Sequence, residues 1–119
     1  MQKEIISIGS HTIVNVSKCE GYIYNYKSGI NFFSAISESN NTSRIIVNKE
    51  VFTDNFFNIN NKLLERVLLA LMQNELYIAI VGDFSEYNEK TLDFLYNYNR
   101  NKEIFFLSNV EEAIFALNN

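Results

Sequence analysis

The pattern of apolar and polar positions turns on one stretch, Leu76 to Ser85, which reads Leu-Tyr-Ile-Ala-Ile-Val-Gly-Asp-Phe-Ser. An unbroken apolar run of strand length, rich in Ile and Val, predicts a strand buried on both faces. Gly82 and the polar residues after it mark where that strand leaves the core. In open α/β sheets, ligands and partners lie just beyond such carboxyl ends.

The rest of the pattern fits around this strand. Glu4 to Ile8 and Thr12 to Val16 are short β-type runs separated by a Gly-Ser pair, a two-residue hairpin signal because Gly accepts the positive φ of the turn. Cys19 to Tyr26 alternates Tyr22, Tyr24 and Tyr26. It reads either as a short strand or loop at the core edge, or as a tyrosine-rich contact surface. Asn25 is placed to cap a helix to about Ser39, with Ile30, Phe33 and Ile36 on its apolar face and Gly29 weakening it by about 1 kcal/mol relative to Ala. Arg44 to Asn48 is a further strand. Thr53 or Asp54 caps a turn holding Phe56 and Phe57. A helix over about Asn60 to Asn74 buries Leu63, Leu64, Val67, Leu68 and Leu71. Asn88 caps a helix from Glu89 to about Asn99, and Asn101 is suited to the left-handed stop. Glu103 to Leu107 is the last strand. Ser108 or Asn109 caps a closing helix whose first turn carries Glu111 and Glu112, favoured there by the helix dipole. The predicted order is β-β-α-β-α-β-α-β-α: one α/β domain over residues 1–119, with a mostly parallel sheet and an antiparallel N-terminal hairpin.

Composition narrows the function classes. The net charge of −4 argues against nucleic acid, which needs a clustered basic surface. No segment approaches the roughly 20 apolar residues of a membrane span, and the N-terminus lacks the basic-then-apolar order of a signal peptide. Cys19 is the only cysteine, so an internal disulfide is impossible, which fits a reducing cytoplasm. Asn is abundant but scattered, and with many Ile and Lys it reflects an AT-rich genome.

Several runs together resemble the domain-of-unknown-function 4180 family of small bacterial proteins. They are Ile45-Ile46-Val47-Asn48-Lys49, Thr53-Asp54-Asn55-Phe56-Phe57, Ile78 to Ser85 with Tyr87, Leu92 to Tyr96, Asn99-Arg100-Asn101-Lys102, Ile104-Phe105-Phe106 and Glu111-Glu112-Ala113-Ile114. The resemblance covers roughly residues 43 to 117 well and implies no established biochemical role. One departure stands out: the family's second helix carries a Thr-Gly-Leu-Ala-Gly-Glu pattern where this chain has Asn61-Lys62-Leu63-Leu64-Glu65-Arg66. If the glycines admit something to the helix backbone, Lys62 and Glu65 block it here, and Arg66 stands in place of the acid. The closing Ser108-Asn109-Val110-Glu111-Glu112-Ala113 is also similar to the STAS domain, the anti-sigma-factor antagonist type. That resemblance implies a STAS-like sandwich and a binding module rather than a catalyst. Several STAS domains are switched by phosphorylation of a Ser following an Asp at the start of the second helix. The matching place here reads Asp54-Asn55, which has no hydroxyl.

The chain contains no catalytic constellation. Nucleophilic catalysis needs a base within reach of the nucleophile, and nothing brings His11 beside Cys19. No metal-ligand spacing, Walker loop or GxGxxG motif occurs, so neither a metal nor a cofactor is expected. If the strands holding Val47 and Ile80 are neighbours, Lys49, Asp54, Asp83, Phe84 and Ser85 converge at the carboxyl edge of the sheet. The competing reading gives Asp83 and Ser85 a turn-stabilising role, Lys49 a solvated one and Phe84 a packing one. The expectation is a non-enzymatic, regulatory module that binds another protein or a second copy of itself. The alternatives are a binder of a small anionic ligand at that edge, using Lys49 and helix N-termini, or a phage or mobile-element inhibitor of a host factor.

Overall fold

A computed structural model describes residues 1–119. The strands are β1 (Gln2–Ile8), β2 (His11–Ser17), β3 (Arg44–Asn48), β4 (Tyr77–Val81) and β5 (Ile104–Leu107). The helices are α1 (Tyr26–Asn40), α2 (Leu63–Gln73), α3 (Glu89–Asn97) and α4 (Val110–Leu117), and short 3-10 turns fill the gap between β3 and α2 and follow α3. One five-stranded sheet runs β1-β2-β3-β4-β5. It is a mixed sheet rather than the mostly parallel one expected. The β1–β2 hairpin is antiparallel, and the pairs β2–β3, β3–β4 and β4–β5 are parallel.

The three crossovers step across the sheet in one direction, so their helices all fall on one face. There α1, α2 and α3 bury Phe33, Leu64, Val67, Leu68, Leu71 and Leu95 against Val14, Val16, Ile45, Val47, Ile78, Ile80 and Phe106. The opposite face is covered by α4 alone, through Ala113 and Leu117 against Ile13, Ile46, Ala79, Val81 and Phe105. β4 is therefore buried on both sides, which is why its sequence is an apolar run without alternation.

Local chemistry sets the element ends. Asn25 and Ser28 close a capping box at α1, while the side chains of Asn88 and Asn109 accept from Thr91 and Glu112 at the starts of α3 and α4. Asn41 stops α1 in the left-handed conformation. Two helix ends differ from the pattern's expectation. α2 begins at Leu63, because Ile59–Asn61 form a separate 3-10 turn and Lys62 is left-handed. α3 tightens into a 3-10 turn over Tyr98–Asn101, so the left-handed residue is Lys102, not Asn101. Gly29 is a packing residue as well as a weak helix former. A Cβ there would lie 3.2 Å from Val67 and 3.3 Å from Ile23, so the glycine permits the close approach of α1 to α2. Cys19 to Tyr26 is a loop tied down by a parallel bridge between Ile23 and Phe52. Ile23 points into the core, while Tyr22, Tyr24 and Tyr26 are exposed.

The two edges of the sheet are finished differently. β5 is short, and the side chain of Asn99 pairs with it as a peptide unit would. Asn99 Oδ1 accepts from the Phe106 amide at 2.7 Å, and Asn99 Nδ2 donates to the Phe106 carbonyl at 3.1 Å. β1 has no such cover and is exposed over Gln2–Ile5.

Candidate functional site

The condition on the proposed convergence is met: Val47 and Ile80 are register partners, and so are Asn48 and Val81, where β3 and β4 end together. The next residues, Lys49 and Gly82, are therefore side by side. The Lys49 stem crosses Gly82 so closely that a Cβ on the glycine would lie 2.8 Å from Lys49 Cγ. Gly82 lies in contact with a neighbour's stem, a closeness only glycine permits.

Lys49 Nζ donates to the Asp83 carbonyl and to Glu86 Oε1, the latter at 3.1 Å. It also lies 5.0 Å from the centre of the Tyr87 ring and 5.7 Å from that of Phe84. Only 13% of the lysine side chain is exposed, against 70% of Glu86. Burial alone lowers the Lys49 pKa, but the bond to Glu86 and the charges around it outweigh this and hold the ammonium above its usual value. Burial pushes the Tyr87 hydroxyl up, against the pull of Lys49.

Asp83 and Ser85 form a closed turn. The Asp83 carboxylate accepts from Ser85 Oγ at 2.6 Å and from the Ser85 amide at 2.9 Å. These two bonds, with a smaller contribution from Lys49, hold its carboxyl below the usual range. Phe84 is 3% exposed and packs on Phe57, Tyr87, Tyr96 and Phe106, so it supports the rim from beneath. Asp54, at the start of the 3-10 turn Asp54–Phe57, is exposed and lines a hollow of about 290 Å³ with Lys49, Glu50, Glu86 and Tyr87. Four of the five expected residues thus form one bonded or packed cluster, and Asp54 faces it across the hollow.

Sequence reasoning passed over three contributors: Glu86, Tyr87 and Phe57. The Phe57 and Tyr87 rings stack at 5.1 Å and 17°. No spacing rule joins positions so far apart. The only signal for Glu86 was its closeness to Asp83 in the loop.

The fold explains why the hollow is small. Ligand crevices in open α/β sheets open where the strand order reverses and crossover helices part to opposite faces. Here the order never reverses. A larger, more apolar groove of about 870 Å³ lies elsewhere, between α4 and β5, beside Phe115. Phe115 is 76% exposed. No group of three His, Cys, Asp or Glu is arranged to hold a metal, and no helix is long and apolar enough to cross a membrane. Cys19 is a free, buried thiol whose pKa burial raises, a poor setting for a nucleophile.

These features, a βαβ core with a self-satisfied rim, define a small α/β module. The chain belongs to the family described as Domain of unknown function (DUF4180), whose model matches residues 8–117. No curated protein and no solved structure matches it. The departure noted at Lys62 now has a structural meaning: its φ is 60°, the left-handed region where glycine is favoured. A glycine would suit this backbone turn, and this chain makes it with a lysine. Arg66, at the last position of the pattern, lies over the Tyr26 ring at 4.6 Å.

Proposed function

We propose that the chain is a non-catalytic, STAS-like regulatory module that acts by binding another protein at the carboxyl rim, through the surface formed by Lys49, Asp54, Asp83 and Ser85 over Phe84. The observation that carries this reading is the internal satisfaction of the rim. The Lys49 ammonium is engaged by the Asp83 carbonyl and Glu86, and the Asp83 carboxylate by Ser85. Groups held this way present a fixed shape and charge pattern, as a docking surface requires, rather than a free acid, base or nucleophile. A small anion is the weaker reading, because the one cation of the hollow is already paired and Glu50, Asp54 and Glu86 line the same space.

The test is affinity purification of the full chain from its host. A protein recovered in stoichiometric amount with the wild type should be lost with Asp54→Lys. It should be kept with Glu38→Lys, at the amino end of the sheet. Equal recovery by Asp54→Lys would reject the rim as the docking surface. A bound small anion in native mass spectra, with no protein recovered, would reject the reading in favour of the ligand alternative.

A further inference from the structure

The unequal finishing of the two sheet edges points to a second interaction surface. β5 is four residues long, and the Asn99 side chain occupies its outer backbone groups at Phe106. β1 is seven residues long. Its register with β2 is unbroken from Gln2 to Ile8, so no bulge twists the edge away. The chain has no proline to interrupt it. Exposed edges of this kind are ordinarily shortened, bulged, covered, charged or broken by proline, and of these devices β1 has only the charges of Lys3 and Glu4.

The register also says which backbone groups are free. Ile8 pairs with His11 across the two-residue turn, which makes that pair a hydrogen-bonded one. Alternation then turns the amides and carbonyls of Ile8, Ile6, Glu4 and Gln2 toward β2. Those of Lys3, Ile5 and Ser7 face outward. The outward set is symmetric about Ile5, whose side chain is 54% exposed.

We propose that β1 is the pairing edge for a second copy of this chain, the two β1 strands running antiparallel about a two-fold axis at Ile5 and joining the sheets into one. The symmetry of the free groups selects this register. Ile5 lies opposite the partner's Ile5, and Lys3 opposite the partner's Ser7, each pair exchanging both backbone bonds. On the other face, Glu4 lies opposite the partner's Ile6 and Gln2 opposite the partner's Ile8. No like charges meet. A register centred on Glu4 would oppose two carboxylates, and one centred on Lys3 two ammoniums. A register centred on Ile6 pairs only Ile5 with the partner's Ser7, two reciprocal pairs in place of the three formed about Ile5. The inference does not rest on the rim, and it fails or holds independently of the partner assay.

Sedimentation and light scattering of the full chain test it, with circular dichroism confirming that each variant folds. The wild type is expected at twice the 13.8 kDa of one chain. Ser7→Lys sets an ammonium opposite the partner's Lys3 twice per dimer and should weaken association about tenfold. Ser7→Glu should tighten it, and Lys3→Glu combined with Ser7→Lys should restore it. Ile5→Pro removes the central outward amide without touching a bond to β2 and should give a monomer. A wild type that stays monomeric at millimolar concentration would overturn the proposal. So would a dimer on which Ser7→Lys and Ser7→Glu act alike.

Discussion

Replacing Gly82 by alanine has an outcome that depends on a single neighbour. The added Cβ would stand 2.8 Å from Lys49 Cγ, 3.0 Å from Cδ and 3.3 Å from Cβ. A free lysine would swing aside at little cost. This one is held by the Asp83 carbonyl, by Glu86 and by the Tyr87 ring. Overpacking of this kind costs about 1–3 kcal/mol, and a stem that yields in part places it toward the lower end. Against this, Gly82 does not have a positive φ, so an alanine there stiffens the unfolded chain and contributes about 0.4–1 kcal/mol of stability. The net expectation is a loss of about 0.5 kcal/mol. Lys49→Ala alone should cost about 1 kcal/mol, because Glu86 is well exposed and its ion pair is worth little. In the Lys49→Ala background the clash is gone, and Gly82→Ala should become neutral or stabilising. Urea unfolding followed by far-ultraviolet circular dichroism measures all four proteins, with unchanged m-values as the check on two-state behaviour. If the two costs add to within about 0.5 kcal/mol, the contact between Lys49 and Gly82 is not what shapes the rim.

Three further outcomes follow from the same geometry. Asn99→Leu strands the outer amide and carbonyl of Phe106 and should cost about 1–3 kcal/mol, with faster hydrogen exchange at the Phe106 amide. Phe33→Ala, in the buried layer between α1 and the sheet, should lower stability by about 3–5 kcal/mol, whereas Phe115→Ser should change it by less than about 0.5 kcal/mol, both read from thermal unfolding. The Asp83 carboxyl, followed by NMR, should titrate below the usual Asp value and move up in Ser85→Ala. Because its folded pKa is depressed, its contribution to stability is complete above the unfolded value and is lost as pH falls through the folded one.

Much of the architecture was legible because burial leaves a pattern. The run Ile78-Ala79-Ile80-Val81 marked a strand covered on both faces, and the stripe Leu64, Val67, Leu68, Leu71 marked α2. Asn25, Asn88 and Asn109 announced helix starts through capping chemistry that acts over three residues. Contacts set by the assembled sheet were less legible. Gly29 read as a weak spot until α2 was seen against it. Asn99 read as the last residue of a helix, since nothing local tells that its amide mimics a strand. The rim residues Lys49, Asp83 and Ser85 could be placed together once β3 and β4 were taken as neighbours. The groups holding Lys49, namely Glu86 and the Tyr87 ring, depend on how one loop folds back. The mixed character of the sheet follows from the Gly9-Ser10 hairpin, whose antiparallel pair adds β1 to a parallel core.

The most direct measurement is native-state hydrogen exchange across the sheet. With β4 enclosed between the three-helix layer and α4, the amides of Ile78 to Val81 should exchange only through global unfolding, at the slowest rates in the chain. Exchange at Ile78 to Val81 as fast as in the exposed turn at Gly9 and Ser10 would contradict a central β4, and with it the rim built at its end.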